Sequence, residues 1–431
     1  MRSLRPLKSR NFALLWSAAL VSSVGSWMQA VALGIYVTAR THDPLWTGLV
    51  AAAAFIPVGL LSPVGGAMAD RLDRRRWLML TTAAEMLMAT VLTALFVTGK
   101  ASPTIAVLVA FLGGAAGAIG FPSYQAMLPD LVASREDVLA AVALSSAQYN
   151  LGRVIGPVLA GVVLALGSYQ LAFACNAASF AAVLIALAFV HLPRRAHSAG
   201  RPRVWDSIVD GARVTIHEPG CRAAIILIGV VALLGSPFIA LVPAMAIVGL
   251  HLGSGHRGSI GTAVLVTAQG VGAVLGAILL PLLAYRVGRK AQLTAALFVL
   301  PVLLVGYALA PSLWWAAVAL LLVGACYIGV LSGLNTVVQL RAPTGARGRV
   351  LSFYMLSLGV LYPVGAILQG AIGTHSGVRE VTAAGGMALL VVMVATRALR
   401  PSMFASLGDR PGMGRTVYVP ASPVKEDRRD G

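Results

Sequence analysis

Between Lys100 and Asp130 the chain runs for 29 residues without a charged side chain, "ASPTIAVLVAFLGGAAGAIGFPSYQAMLP". About 20 such residues in a helix cross the hydrocarbon of a bilayer, and inside it the backbone must satisfy its own hydrogen bonds. Runs of this kind recur from end to end. Only 11% of the 431 residues are charged, against about 25% in a soluble globular protein. The chain therefore reads as an all-α integral membrane protein, with the lipid bilayer as its first partner.

The runs resolve into twelve spans, at 12–38, 45–69, 76–98, 102–128, 137–166, 168–192, 222–248, 257–285, 290–310, 312–336, 347–375 and 379–398. The first is read as a full span rather than a cleavable leader. A formal charge of +18 would suggest nucleic acid in a soluble protein, but here its distribution assigns it to topology. Of the 33 Lys and Arg, 28 fall in the amino terminus, one set of loops, the central linker and the tail. The opposite face has four, Arg40, Lys100, Arg257 and Arg379, and Arg153 lies within a span. The positive-inside rule then places both termini in the cytoplasm. Three cysteines form no disulfide framework, and Cys175 and Cys326 read as packing residues.

A polar stretch, 193–221, divides the spans six and six, giving bundles at 1–192 and 222–400 and a tail at 401–431. Within the linker, Val204 to Ile216 can form an amphipathic helix on the inner surface; the Gly-, Pro- and charge-rich tail is expected to be disordered. The halves echo one another: "DRLDRRR" at 70–76 returns as "YRVGRK" at 285–290, and "GPVLAG" at 156–161 as "YPVGAI" at 362–367. Repeated six-span units place a substrate path between them.

Six of the seven residues from Asp70 to Arg76 are charged. With Gly66 this "GGAMADRLDRRR" stretch resembles the signature loop of the major facilitator superfamily: Gly66, Asp70, Arg71, Arg74 and Arg75 match, and Asp73 stands where glycine is usual. The variant is similar to the drug and siderophore exporter branch related to the enterobactin exporter, as are "RPLKSRNFALLWSAALVSSVGSWMQAVALGIYV" and "RGRVLSFYMLSLGVLYPVGAILQG". The resemblance implies two pseudo-symmetric six-helix bundles and a cytoplasmic gate. In that gate Asp70 meets the positive end of span eleven near Arg347 and Arg349, and the arginines pair with Asp130 after span four. All of these arginines also hold the loop inside. Tyr285 replaces the aspartate in the second half.

Span five has Gly152, Gly156 and Ala160 four apart, with Pro157 and Gly161 beside them, a small-residue stripe suited to close helix packing. It is similar to the exporter-type antiporter motif, with Ala160 where glycine is usual. Ala268, Gly272 and Gly276 form a matching stripe on span eight, and the two spans are expected to pack across the halves. Two ionisable residues lie deep in the spans, Glu85 and Arg153, functional candidates by their cost there. A carboxyl in low dielectric can hold and release a proton, while Arg153 favours an anionic partner or substrate. Gln29, Gln148, Asn150, Gln269, Asn335, Gln339 and Gln369 are cavity candidates on the spans that line the cavity in the superfamily, with Trp27, Tyr149 and Tyr362 as stacking surfaces.

No phosphate loop and no metal-ligand spacing is evident, so no cofactor is expected and the proton gradient is the implied energy source. The expected partners are protons and a small amphipathic molecule, with no nucleic acid, in a monomer. Secondary export of a drug, siderophore or natural product leads. A lipid or lysolipid flippase, or an importer of the same superfamily, is the alternative. A membrane enzyme or receptor would need a catalytic constellation or an output domain, and neither is visible. Arg outnumbers Lys 29 to 4, a bias of GC-rich bacterial genomes, which places the protein in a bacterial cytoplasmic membrane.

Overall fold

The computed structural model describes residues 2–132, 134, 137–166, 168–190, 204–343 and 346–408. The described residues are almost entirely helical. The long helices are α1 (Arg10–Thr41), α2 (Pro44–Arg71), α3 (Arg74–Val97), α4 (Pro103–Met127), α5 (Asp137–Ala165) and α6 (Tyr169–Phe189). A shorter α7 (Val204–His217) precedes α8 (Pro219–Val230) and α9 (Phe238–Ala244), which run together through two π-helical turns as one span, Pro219–Gly249. Then come α10 (His256–Val287), α11 (Arg289–Ala308), α12 (Leu313–Arg341), α13 (Arg347–Ser376), α14 (Val378–Leu399) and a short α15 (Pro401–Ala405).

Among the described residues, eleven helices are long and apolar enough to cross a membrane. The expected spans coincide with helices to within a few residues, the largest difference being the end of α12 at Arg341 rather than 336. α5 is as long as its neighbours, but Gln148, Asn150 and Arg153 interrupt its apolar surface, and it falls outside the eleven. The tail expectation needs correction at its start: α15 continues the fold, with Phe404 and Leu407 buried. Residues 409–431 and 191–203 lie outside the described residues, His191 among them.

Helix starts follow the local chemistry. Asp43 caps α2 through Leu45 N at 2.9 Å, with Pro44 at the first turn, and Glu218 caps α8 through Cys221 N at 2.6 Å, with Pro219 beside it. The two echoing loops differ in a telling way. Gly288, in "YRVGRK", has φ of 89°, a conformation costly for any other residue. Its counterpart Asp73 has φ of −62° and instead caps α3, accepting from Arg76 N at 2.8 Å. The departure from glycine in the first half exchanges a left-handed turn for an N-cap.

α1 to α6 pack among themselves, as do α8 to α14, and α7 packs on α8 and α13. The two sets meet chiefly along α2 with α13 and α5 with α10, both antiparallel, with α1 touching α9. Contact concentrates at one end. There Gly48 of α2 lies against the Ala366 backbone and Gly370 of α13 against Pro44 and Leu45, while Gly59 and Gly359 face each other nearer the middle. Thr374 donates to the Asp43 carboxylate across the two sets. Ala51, Ala232, Ala240, Tyr362 and Ala366 form a shared core there, and Ile247 joins the cluster built around α1 and α6.

At the other end, which carries the α2–α3, α4–α5 and α10–α11 loops, the sets part. No residue from 277 to 290 of α10 and its loop is buried, and only Leu280 and Ala284 are half-buried. The end of α10 is therefore left uncovered toward this arginine-rich end.

The seam tolerates no side chain at Gly48, whereas nothing lies within 4 Å of the position a Cβ would take at Gly66. Overpacking typically costs about 1–3 kcal/mol. Gly48→Ala should lower the thermal melting point of the purified protein, and Gly66→Ala should leave it within error, as read by intrinsic fluorescence.

Candidate functional site: the cavity and its gates

The charged loop is built into the first helix set. Arg74 donates from Nε to Ala69 O at 3.3 Å and from Nη1 to Ala126 O at 3.1 Å, and lies 3.6 Å from the Asp130 carboxylate. It thus ties the ends of α2 and α4 together. Arg75 donates to Leu187 O at 2.6 Å and Ala188 O at 2.8 Å, closing the carbonyl end of α6. Arg71 is exposed at the end of α2. The expected pairing of a loop arginine with Asp130 is present, and it lies inside one half rather than between the halves. The side chain of Asp70 lies outside the described residues. Near the start of α13, Gly211 of α7 lies against Arg349 and Phe353, at 3.0 and 3.1 Å from its notional Cβ. The linker helix therefore docks onto the helix end that the sequence marks as the gate partner.

α5 and α10 pack across the halves as expected, but not through their small-residue stripes. Gly152 and Gly156 admit Ser23 and Trp27 of α1, and Gly272 and Gly276 admit Leu321 and Ala325 of α12. Both stripes serve packing within a half. Contact between α5 and α10 uses other positions: Gly161 against Ala263, and Gly270 against Arg153 and Val154. Ala160 and Pro157 are buried in α5.

The polar candidates are mostly occupied by neighbouring helices. Gln29 accepts from Asn176 of α6 at 2.9 Å, and Gln148 donates to Ala19 O at 2.8 Å. Gln369 donates at 2.8 Å to Leu234 O, in a π-helical turn where the regular hydrogen-bond ladder is broken. Gln269 is buried against Gly324 of α12. Asn150 bonds back to Ser146 O at 2.8 Å. Asn335 and Gln339 bond to one another one turn apart, near the arginine-rich end of α12. All but Gln269, whose buried amide nitrogen has no partner among the described residues, act first as interhelical or intrahelical bonds.

What remains at the centre is aromatic. The Arg153 guanidinium lies 5.7 Å from the Trp27 ring centroid, and Trp27 meets Tyr149 edge-to-face at 5.8 Å. In the second helix set, Tyr327 of α12 and Tyr362 of α13 are buried. Tyr362 meets Phe55 of α2 at 5.1 Å, and Tyr327 shares a 2.9 Å hydrogen bond with Ser236 and packs on Phe238. Tyr327, Phe55 and Phe238 were not among the sequence candidates, because an aromatic in an apolar helix carries no mark of which way it faces.

No carboxylate of the described residues pairs with Arg153. A cation–π contact contributes about 0.5–2 kcal/mol, whereas an arginine at mid-membrane costs about 2.5–3.5 kcal/mol or more. Trp27 alone does not balance it. Glu85 is elsewhere: its carboxylate lies 2.6 Å from the notional Cβ of Gly117, in the seam between α3 and α4. Among the described residues, no group of His, Cys, Asp and Glu is arranged to hold a metal ion.

Residues 1–411 match the family of transmembrane secretion effectors. The chain is 28% identical to the enterobactin exporter EntS of Citrobacter koseri, over 88% of this chain and 89% of that one. It is 24% identical to the multidrug efflux pump Tap of Mycolicibacterium fortuitum, over 88% and 93%. Its fold is that of a bacterial homologue of the human lysosomal transporter Spinster, solved inward-facing and occupied, with a TM-score of 0.71 at 16% identity, covering 94% and 99% of the two chains.

The bonds of Arg74 predict a stability effect separable from topology. Hydrogen bonds to charged groups contribute about 1.5–3 kcal/mol. Arg74→Ala should destabilise the protein on that scale in denaturant titration of the purified form. Exposed Arg76→Ala should not.

Proposed function

We propose, from the premise that the chain belongs to the transmembrane secretion effector family of major facilitators, that it is a proton-driven secondary exporter of an amphipathic small molecule in a bacterial cytoplasmic membrane. The observation that carries this is the arrangement of the two helix sets. They are joined at one end by the glycine-lined α2–α13 seam and the Asp43–Thr374 bond, while at the other the end of α10 is left uncovered, and in this reading the cargo cavity lies between them there. This is one state of an alternating-access cycle.

In this reading α5 is the twelfth span. The bundles 1–192 and 222–400 are the rocking units, 193–221 links them, and the protein works as a monomer. The arginine-rich end is cytoplasmic, so the cavity faces inward and awaits cargo from the cell. Closing this end brings Asp70 and Arg71 toward the start of α13, where α7 is docked, and the seam at the far end must open. Gly152, Gly156, Pro157, Ala160 and Gly161 keep α5 close to α1 and α10, so the half moves as a body. Both relatives are exporters by name, which supports the outward direction, and a drug or siderophore is the class they suggest. Glu85, the only acidic residue in the interior of the spans, is the coupling carboxyl, and no cofactor is needed.

The orientation makes a direct prediction. A cysteine replacing Lys100 should react with a membrane-impermeant maleimide in intact cells, and one replacing Lys290 only after lysis. The reverse pattern would invert the protein and with it the direction of export.

Coupling is read in proteoliposomes with an imposed pH gradient and an internal pH dye, using a panel of siderophores, macrolides, cationic dyes and lysolipids. Wild type should show substrate-dependent proton flux, and Glu85→Gln should reduce it at least tenfold. Flux that persists in the variant discards Glu85 and keeps the antiporter. Lipid scrambling without proton flux would replace the exporter by a flippase.

A further inference from the structure

We infer that the central cavity is an organic-anion site, with Arg153 as the residue that selects the charge of the cargo. The inference deepens the transport reading above and rests on its assignment of the cavity as the cargo site.

Among the described residues of α1, α5, α8, α9, α10, α12 and α13, the only acid is Asp137. It opens α5 at the arginine-rich end, where Arg5 lies 3.6 Å away and Ser134 donates to it at 2.9 Å. Sixteen residues separate it from Arg153, about 24 Å along a helix. Among the described side chains of these helices, Arg153 therefore has no acidic counterion near it. Beside it stand Trp27 and Tyr149, an edge-to-face pair that supplies ring faces and one hydroxyl. A planar guanidinium beside an aromatic face suits a carboxylate or other delocalised oxyanion attached to a ring. A cationic cargo would meet like charge with no acid to receive it.

The same geometry links recognition to movement. In the open state water reaches the half-buried Arg153. Closing the cytoplasmic end removes that water, and an unpaired guanidinium then opposes closure. A bound anion replaces the water as counterion, so the loaded carrier closes more readily than the empty one.

The test uses the full-length protein in nanodiscs of zwitterionic lipid and three probes sharing one ring system: 2-naphthoate, 2-naphthamide and 2-naphthylmethylammonium. Binding is measured by isothermal titration. Wild type should bind the naphthoate at least tenfold more tightly than either of the others. Arg153→Gln should erase that difference while retaining the wild-type elution profile and melting point, and Arg153→Lys should keep part of it. Equal binding of all three by wild type, no binding of naphthoate, preference for the ammonium, or a preference that survives in Arg153→Gln would each overturn the inference. A protein that fails the export assay yet shows the Arg153-dependent preference loses the export reading alone. One that exports without the preference loses this inference alone.

Discussion

The rest of the structure depends on a place where two backbones touch. Along α2 and α13, Gly48, Gly59, Gly359 and Gly370 remove the side chains that would hold the helices apart. In a bilayer there is no hydrophobic gain from bringing apolar helices together, so close van der Waals contact and interhelical hydrogen bonds decide which surfaces associate. The seam supplies the first, and the Asp43–Thr374 bond at its end supplies the second. Because this contact is narrow and one-sided, it holds the halves together without fixing them along their whole length. The parted helices at the opposite end are the consequence.

The arginines show how one residue type can answer two demands. Their number at one end sets topology, and any arginine in these loops would serve. Their positions do more. Arg75 closes the carbonyl end of α6, and Arg379, on the sparsely charged face, closes α11 through Ala308 O at 2.9 Å and Ala310 O at 2.8 Å. Each reaches from the first turn of one helix to the last carbonyls of another, where the helix end is negative. Arg341 pairs with Glu218 at 2.9 Å and joins the end of α12 to the cap of α8. The dense charge of the Asp70–Arg76 loop is therefore both an address and a set of braces.

The helices were legible in the sequence because the bilayer leaves few options: apolar length, turn chemistry and the Lys and Arg asymmetry fix nearly every boundary. The loop motif was equally legible, down to the Arg74–Asp130 pair. What the sequence could not yield was helix rotation. A small-residue stripe says that something packs closely, not what: α5 and α10 do meet across the halves, yet each stripe packs within its own half. The glutamines failed for a related reason. A polar side chain in a membrane helix must find a partner, and Gln29, Gln148 and Gln369 find theirs on neighbouring helices. Arg153 differs from them: among the described residues no carboxylate pairs with it, and its contact is the Trp27 ring.

The separation of Glu85 from Arg153 constrains how energy can reach the cargo. Glu85 lies in the α3–α4 seam beside Gly117, while Arg153 lies at the cavity beside Trp27. In the proposed function, a proton taken at Glu85 would not act on the cargo by direct attraction. Its effect must pass through packing: α4 lies along α2, with the Gly114 position against Ala53 and Ala54, and α2 is the helix that makes the seam with α13. Neutralising or charging a carboxyl beside α4 changes how tightly α3 and α4 close, and the next helix in line is the one that joins the halves. Coupling of this kind would not require proton and cargo to compete for one site. The cavity is then left free to be specialised for what it carries, with a single positive charge among aromatic rings.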